Sequence, residues 1–221
     1  IIAVSKGEFS DLGKNKICKK SKLAQINNGI KLQNSSAYFP NENQKFRIVT
    51  ITRFDYQKNT EMLVDIIREM NNNEFEFVII GTGKNENQIK TEIDKLNSKS
   101  NVIFTGGVTN TQDILKDCHC YISTSRWEGL PLAVLEAMAN GLPVVATNVV
   151  GNKDILIHNQ NGFLFNISNH KEAVEYISML ANEKTLWERI SNAAKNSVKD
   201  NFSLEQMIKK TKNIYEIILI K

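Results

Sequence analysis

The chain has 221 residues, of which 41% are hydrophobic, and its formal net charge at pH 7 is +4. This length can bury a substantial core, and the mildly basic balance falls well short of the charge typical of nucleic-acid-binding proteins. No run of about 18 uninterrupted apolar residues occurs, so the sequence predicts no membrane-spanning helix. The first residues lack the basic region and the cleavage site of a signal peptide, and the missing initiator Met leads us to expect a fragment.

Cysteine usage bears on the cellular compartment and on metal binding. The three cysteines are an odd number, which argues against a disulfide framework and predicts a reducing, cytoplasmic location. Cys118 and Cys120 flank His119, but this spacing is too tight for structural zinc, and the sequence offers no second ligand pair. We therefore expect no metal at these residues.

A basic run at residues 13–22 gathers part of the positive charge. Such a run is typical of the solvated face of a helix, and contact with an anionic membrane surface is the alternative. The sequence thus places the protein in the cytoplasm and leaves peripheral contact with the inner membrane open.

The period of the apolar residues alternates between that of strands and that of helices. Strands are predicted at residues 1–5, 22–27, 46–52, 75–81, 101–106, 120–125, 143–147 and 162–165. Helices are predicted at residues 59–71, 85–98, 111–118, 152–158, 169–182, 184–199 and 203–219, and one more begins near Pro131. The polar stretch 31–44 marks a boundary before this block. Because strand and helix alternate, the predicted fold class is a doubly wound α/β sheet with parallel strands and helices on both faces.

Ligands of such sheets bind outside the carboxyl ends of the strands, so the loops that follow the strands are the candidate sites. Arg53 and Lys58 flank the loop after the first strand of the block. The loop is long enough for both cations to converge on one point, and two convergent cations suit a diphosphate. A pair of solvated loop cations is the alternative reading of this spacing.

The sequence "GTGK" at 81–84 ends the next strand, where Gly81 and Gly83 would let a ligand approach the backbone closely. It is not the dinucleotide fingerprint, because no third glycine follows at the required spacing. No phosphate-binding P-loop motif occurs either. Nicotinamide, flavin and P-loop enzymes are therefore disfavoured.

The stretch "EGLPLAVLEAMANGLP" predicts a helix that begins at a ligand. Pro131 suits the first turn of a helix, Gly129 leaves the backbone before it open, and the free N–H groups of that turn favour an anion. Glu136 is the only charged residue between 130 and 152. A buried carboxylate needs hydrogen-bond donors, which the vicinal diol of a ribose could supply, whereas a solvated Glu is the alternative. Glu128, an ordinary loop acid by itself, would lie where a sugar carried on the diphosphate is placed.

These residues resemble family 4 of the retaining glycosyltransferases, whose members have the GT-B fold of two facing Rossmann-like domains. The signature Glu-x7-Glu, followed by Gly-x-Pro-Val-Val, stands in register from Glu128 to Thr147. Further matches run in chain order over about 160 residues: "INNGI", "TRFDYQKN", "IIGTGK", "VIFTGGV", "VGNKDIL" and "NGFLF". Thr52 and Val150 depart from the family pattern, which commonly has glycine at both positions.

The resemblance implies a role for each candidate residue. Arg53 and Lys58 would hold the diphosphate of the donor, Glu136 would accept from the ribose hydroxyls, and Glu128 would lie against the donor sugar as the catalytic residue. Backbone groups of Leu130, Pro131 and Leu132 would contact sugar and phosphate. The two departures put the close approach of backbone to the phosphates at those points in doubt.

The resemblance also implies the reaction and the organisation of the chain. The expected reaction is retaining transfer of a sugar from a nucleotide-diphosphate donor, UDP being the expected nucleotide, to a glycan or lipid-linked acceptor in bacterial surface polysaccharide synthesis. Residues 1–30 would end the acceptor domain and cross over, 31–200 would form the donor domain, and 201–221 would pack back as a helix. With most of the acceptor domain absent, we expect the chain to bind nucleotide without transferring sugar.

No Asp-x-Asp motif occurs, so we expect metal independence and no cofactor. A related GT-B enzyme, such as a sugar-nucleotide epimerase or a storage-glucan synthase, and a non-catalytic nucleotide-binding module are the alternatives. Nucleic acid is disfavoured as a partner because aromatic residues are not interleaved with the basic ones.

Overall fold

The computed structural model describes residues 1–32, 37–96 and 101–219, and its strands form two parallel sheets. The small sheet pairs β1 (Ile2–Ala3) with β2 (Ala24–Gln25). The large sheet has six strands: β3 (Phe46–Ile51), β4 (Phe75–Ile80), β5 (Val102–Gly106), β6 (Cys120–Ser123), β7 (Val144–Thr147) and β8 (Phe163–Phe165). Their order is β5-β4-β3-β6-β7-β8, and every neighbouring pair is parallel.

Helices connect these strands and close the chain. They are α1 (Lys6–Lys14), α2 (Thr60–Glu69), α3 (Glu86–Asp94), α4 (Gln112–Leu115), α5 (Leu132–Ala139), α6 (Val150–Lys153), α7 (His170–Asn182), α8 (Lys184–Asn201) and α9 (Leu204–Leu219). The predicted doubly wound α/β fold class is confirmed. In the large sheet the β-α-β crossovers make all strands parallel, as the alternation of periods indicates.

Alternate residues of the central strands pack into two separate hydrophobic clusters, one on each face of the sheet. Ile48 of β3 and Ile122 of β6 point to the cluster that α2 and α7 cover. Val49 and Tyr121, the adjacent residues, point to the cluster that contains α5. Burial on both faces explains why these strands read as nearly continuous apolar runs in the sequence.

The strand order places a topological switch point between β3 and β6. From β3 the chain winds outward through β4 to β5, then returns to β6 on the other side of β3 and winds outward through β7 to β8. The loops after β3 and β6 therefore leave the sheet side by side and run in opposite directions, which opens a crevice between them. Lys58 follows β3 and Glu128 follows β6.

The structure corrects the sequence interpretation near the amino terminus. The predicted strands at 1–5 and 22–27 shorten to two residues each, and α1 is a helix that the apolar periodicity of the sequence does not predict. Only the first two residues of the basic run 13–22 belong to α1, because Lys16 has a left-handed backbone with φ of 52°. The expectation of a single solvated helix face along this run is wrong.

Three predicted helices need adjusted bounds. The short helix predicted at 152–158 is α6, which begins two residues earlier and ends at Lys153. Pro131 precedes α5 as its N-cap residue, with ψ of 106°, so the helix begins one residue later than expected. The predicted helix at 85–98 ends at Asp94 as α3, and residues 97 and 98 lie outside the described part of the chain. Within the described ranges, no helix is long and apolar enough to cross a membrane.

Candidate active site

The loops that follow β3 and β6 are tied to each other by backbone and side-chain hydrogen bonds. The backbone N–H of Arg126 donates to the carbonyl oxygen of Gln57 at 2.7 Å, and the Gln57 side-chain amide donates to the carbonyl of Trp127 at 3.0 Å. The Thr124 hydroxyl donates to the carbonyl of Lys58 at 2.8 Å. These bonds fix two segments that are about 70 residues apart in sequence.

The tied loops bring Lys58 and Glu128 together. The Lys58 ammonium lies 2.6 Å from Oε1 of Glu128, and the two side chains are 20% and 8% exposed. The hydroxyl of Ser125 donates to the same carboxylate oxygen, also at 2.6 Å. One carboxylate oxygen thus receives two donors, and the charge-assisted pair is shielded from most of the solvent.

Ser125 is a site residue that the sequence analysis missed. It stands three residues before Glu128, and Ser-x-x-Glu ahead of an apolar helix is the spacing of a capping box. Here the serine hydroxyl bonds the glutamate side chain directly. The signal was therefore available in the sequence, although it would have predicted a helix cap and not a partner for Glu128.

Arg53 has partners of its own. Its guanidinium pairs with the Asp55 carboxylate at 3.0 Å and donates to the side-chain oxygen of Gln57 at 3.0 Å. The Arg53 side chain is 65% exposed, whereas Lys58 is held against Glu128. The structure thus gives the two predicted phosphate-binding cations different acidic partners, and convergence of the two cations on one ligand stays a prediction.

Gly81 and Gly83 let the loop after β3 pack against the loop after β4. A Cβ added to Gly81, which has φ of 136°, would lie 1.8 Å from the carbonyl oxygen of Thr52. A Cβ added to Gly83 would lie 2.5 Å from the backbone nitrogen of Phe54. Packing within the protein therefore explains both glycines, since the absence of a Cβ lets the backbone on either side of Arg53 lie against them.

Gly129 and the start of α5 leave backbone accessible near Glu128. A Cβ on Gly129 would meet no atom within 4 Å, and the N-cap residue Pro131 forms no side-chain hydrogen bond to the first turn of α5. The helix begins at Leu132 after the buried residues Leu130 and Pro131, so its first N–H groups and the positive end of its dipole follow Glu128 by four residues in the chain. Backbone groups of this kind suit a phosphate.

Glu136 lies on α5, about one turn from its start, and is partly buried. Burial raises the pKa of its carboxyl group, and the hydrogen bond from the Thr111 hydroxyl to Oε2, at 3.2 Å, opposes that rise. The pKa of the Tyr121 hydroxyl is raised chiefly by burial and further by the charges of Glu128 and Glu136. Both carboxylates thus contribute to the electrostatic surroundings of the Tyr121 hydroxyl.

Cys118 and Cys120 are buried, which disfavours the thiolate form that binds metals. Burial raises the pKa of the Cys118 thiol to about 12 and raises that of Cys120 as well, so both stay protonated. In residues 1–32, 37–96 and 101–219, no group of three or more His, Cys, Asp or Glu side chains is arranged to hold a metal ion.

The search for a cavity alone would have indicated a different candidate site. A cavity of about 280 Å³ lies at the amino ends of β3, β4 and β6 and is lined by Arg47, Glu76 and His119. This is the edge of the sheet opposite Lys58 and Glu128. Ligands of doubly wound sheets bind at the carboxyl edge, so charge and topology identify the candidate site better than cavity volume does.

The strand order is that of Rossmann-like α/β proteins, which bind their ligands at the carboxyl edge of the sheet, and the paired Lys58 and Glu128 lie at its switch point. The family model described as "Glycosyl transferases group 1" matches residues 33–197. The chain therefore belongs to this glycosyltransferase family.

Two curated relatives illustrate the family. The poly(ribitol-phosphate) alpha-N-acetylglucosaminyltransferase of Staphylococcus aureus is 29% identical over 194 residues, which cover 86% of this chain and 38% of that protein. The UDP-Gal:alpha-D-GlcNAc-diphosphoundecaprenol alpha-1,3-galactosyltransferase of Escherichia coli is 29% identical over 140 residues, or 63% of this chain and 36% of that protein. The chain thus spans less than half the length of the curated relatives it matches here.

Solved structures agree on the fold. A mutant of S. aureus TarM in complex with fondaparinux, alpha-GlcNAc-glycerol and UDP superposes with a TM-score of 0.87 at 25% identity, covering 97% of this chain and 43% of TarM. Anabaena HepE in complex with UDP and glucose also gives a TM-score of 0.87, at 18% identity, covering 97% of this chain and 62% of HepE. The fold is that of GT-B glycosyltransferase structures.

Proposed function

We propose that this chain is the donor-binding part of a family 4 retaining glycosyltransferase that takes its sugar from a UDP-sugar. The acceptor in this proposal is a glycan or a lipid-linked glycan of bacterial surface polysaccharide synthesis, such as O-antigen, lipopolysaccharide or capsule. The names of the two curated relatives support the proposed donor and the proposed acceptor, since one acts on poly(ribitol-phosphate) and the other takes UDP-Gal to a diphosphoundecaprenol acceptor.

The pair of Lys58 and Glu128 at the switch point carries the proposal. A lysine and a carboxylate 2.6 Å apart place a cation for a phosphate directly beside an acceptor for sugar hydroxyls. A sugar diphosphate needs these two groups side by side, because its anionic and hydroxylated parts are adjacent. The open backbone at Gly129 and the start of α5 add N–H groups at the same point.

Each residue has a role in the proposed reaction. Arg53, Lys58 and the first turn of α5 bind the diphosphate and stabilise the negative charge that grows on it as the glycosidic bond breaks. Glu128 accepts from hydroxyls of the donor sugar, and Glu136 accepts from the ribose. With two cations and a helix terminus at the phosphates, the proposed reaction is independent of metal.

The proposal also covers the parts that adjoin the donor domain. Residues 31–200 form the donor domain, residues 1–30 end the acceptor domain and cross over, and residues 201–221 return to it. The protein acts at the cytoplasmic face of the inner membrane, where its lipid-linked acceptor would be found. The chain by itself binds nucleotide but does not transfer sugar, because the acceptor site belongs to the domain that precedes it; sugar transfer by this chain would contradict that part.

Titration calorimetry with nucleotides tests the assignment of the site. We expect UDP to bind more tightly than GDP or ADP, and we expect Lys58→Ala and Arg53→Ala each to weaken binding of UDP about tenfold or more. Glu136→Ala should weaken it about tenfold as well, since the ribose hydroxyls lose their acceptor.

Arg68→Ala is the matched control, because Arg68 forms an exposed pair with Asp65 near the end of α2 and its substitution removes one positive charge away from the site. The affinity of this variant for UDP should equal that of the wild type. Unchanged affinity in Lys58→Ala and Glu136→Ala would overturn the site, and tighter binding of GDP or ADP would overturn the choice of UDP.

A further inference from the structure

The hydroxyl of Thr111 serves a helix other than its own. Thr111 stands at the N-cap position of α4, where a threonine side chain ordinarily accepts from the backbone of the helix that it begins. Here no such bond is formed, and the hydroxyl instead lies 3.2 Å from Oε2 of Glu136 on α5. An oxygen of an ionised carboxylate is an acceptor only, so the threonine hydroxyl donates this hydrogen bond.

A second hydrogen bond holds the two helices in register beside this contact. Asn140, which is fully buried at the end of α5, donates from its side-chain amide to Oε1 of Gln112 at 2.7 Å. The same amide nitrogen lies 2.8 Å from the backbone carbonyl of Glu136. Gln112 directly follows Thr111, so the start of α4 is attached to α5 at two points, Glu136 and Asn140.

The direction of the Thr111 bond determines which part of Glu136 remains for a ligand. Oε2 is occupied by the hydroxyl, and among the described residues no side chain donates to Oε1. A carboxylate held by one oxygen keeps its plane fixed, while a free glutamate rotates about its terminal torsion. Fixing the plane in advance favours binding, since the ordering cost is not incurred when the ligand arrives.

We infer that Thr111 is a positioning residue for ribose recognition: its hydroxyl fixes the carboxylate of Glu136 so that this group accepts hydrogen bonds from the vicinal hydroxyls of the nucleotide. The inference rests on the proposed function, in which Glu136 faces the ribose. It adds a residue from a different strand-helix unit to the site and makes selection of ribonucleotides over deoxyribonucleotides depend on it.

The test compares ribose with deoxyribose on matched variants. The dissociation constants of UDP and 2′-deoxy-UDP are measured by titration calorimetry for the wild-type chain, Thr111→Val and Thr111→Ser. Valine has the shape of threonine without the hydroxyl, and serine keeps the hydroxyl. We expect the wild type to prefer UDP about tenfold or more, because the deoxy form leaves part of the carboxylate without a donor.

In Thr111→Val we expect the affinity for UDP to fall about fivefold and that for 2′-deoxy-UDP to change little, so that the preference is reduced to about twofold. Thr111→Ser should keep the preference of the wild type. Thr91→Val is the control, because the Thr91 hydroxyl bonds within α3, to the carbonyl of Asn87 at 2.9 Å. It removes a hydroxyl elsewhere and should leave both affinities unchanged.

A Thr111→Val protein that keeps the preference of the wild type, or that loses affinity for both nucleotides equally, would overturn the inference while the proposed function stands. Loss of the preference in Thr111→Ser would overturn it as well. If the wild-type chain binds neither UDP nor 2′-deoxy-UDP, and neither GDP nor ADP, the proposed function itself fails and the inference fails with it. Melting temperatures of all variants separate these outcomes from misfolding.

Discussion

At the scale of single residues, Glu128 and Glu136 differ in the donors that their carboxyl groups receive. Glu128 is nearly buried, and Lys58 and Ser125 both donate to it. Glu136 is partly buried and receives a hydrogen bond from the hydroxyl of Thr111, a neutral donor, and burial raises the pKa of its carboxyl group. A carboxylate with a single neutral donor keeps capacity to accept from a ligand, which agrees with the proposed contact to a ribose.

His119 is a buried titratable side chain with no place in the proposed reaction. It is 2% exposed, and its Nδ1 accepts from the backbone N–H of Arg47 at 2.8 Å. Its other ring nitrogen therefore carries the proton, and it has no hydrogen-bond partner among the described residues. Burial, and next the guanidinium of Arg47, lower the pKa of the imidazole to about 4, while Asp117 opposes this shift.

The pKa of His119 predicts a loss of stability in mild acid. The unfolded state takes up the proton near pH 6.5 and the folded state only near pH 4, so the folded state is favoured above this window and loses that advantage as pH falls through it. We expect His119 to lower the free energy of unfolding by about 2 kcal/mol at pH 5 relative to pH 8. Denaturant unfolding at a series of pH values measures this contribution.

His119→Asn is the comparison, because the asparagine oxygen can accept from Arg47 in place of Nδ1 but does not titrate. The variant should lose less stability than the wild type between pH 8 and pH 5. Equal pH dependence of the two proteins would show that the imidazole contributes nothing in this range.

Among the secondary-structure elements, the site depends on how closely the loops after β3 and β4 pass each other. The φ of 136° at Gly81 is a backbone conformation that residues with a side chain rarely adopt, and the Thr52 carbonyl occupies the space of a Cβ. The backbone N–H of Gly81 also donates to the carbonyl of Gly106 at 2.8 Å, which joins the ends of β4 and β5. The glycine thus sets the position of the segment that carries Arg53.

Gly81→Ala should destabilise the chain, since the added methyl group clashes with backbone and φ is unfavourable for alanine. We expect the free energy of unfolding to fall by about 3 kcal/mol or more, measured by urea denaturation. Gly13→Ala is the control, because a Cβ at this exposed position of α1 meets no atom within 4 Å. Alanine there should stabilise the protein by about 0.5–1 kcal/mol, since it favours the helix.

A Gly81→Ala protein as stable as the wild type would mean that the loops after β3 and β4 can separate at little cost. The packing of these loops would then not explain the glycine, and close approach of a ligand to the backbone would be the remaining reason for it.

For the molecule as a whole, α8 and α9 contribute very differently to stability. Trp187 and Ile190 of α8 belong to one hydrophobic cluster, whereas Ala194 and Val198 belong to the other, so this helix spans both faces of the core. α9 has no buried residue between Leu204 and Leu219, although much of one side is apolar. Its ties to the body include the hydrogen bond from the Leu204 N–H to the carbonyl of Ile30 at 2.9 Å.

Truncation after Ser203 should therefore leave the fold intact. We expect the free energy of unfolding to fall by less than about 1.5 kcal/mol, because the side chains that are lost are exposed or only partly buried and few hydrogen bonds go with them. Truncation after Asn182 also removes α8 with its buried tryptophan, and that chain should not unfold cooperatively. Circular dichroism during urea denaturation distinguishes the two truncated chains. We expect only the chain that ends at Asn182 to lose its cooperative transition. Loss of the transition in both chains would contradict the role assigned to α9.

Sequence reasoning alone was enough for the six strands of the large sheet and most of the helices that follow them. Residues buried on both faces give unbroken apolar runs, and amphipathic helices give a 3.6-residue period. The sequence also indicated Lys58 and Glu128, which lie in loops after strands, and Glu136, the one charged residue in the apolar helix α5. α1 was missed because it buries no residue, although Ser5 accepts from the Glu8 N–H at 3.1 Å as a helix cap.

Which of these side chains meet became known only from the assembled sheet. Lys58 and Glu128 are 70 positions apart, and they form a pair because β6 lies beside β3, an order that no local pattern encodes. Thr111 reaches Glu136 for the same reason, since α4 and α5 belong to different strand-helix units. Local periodicity reflects burial of each element, whereas the partners of a polar side chain depend on the order in which the elements assemble.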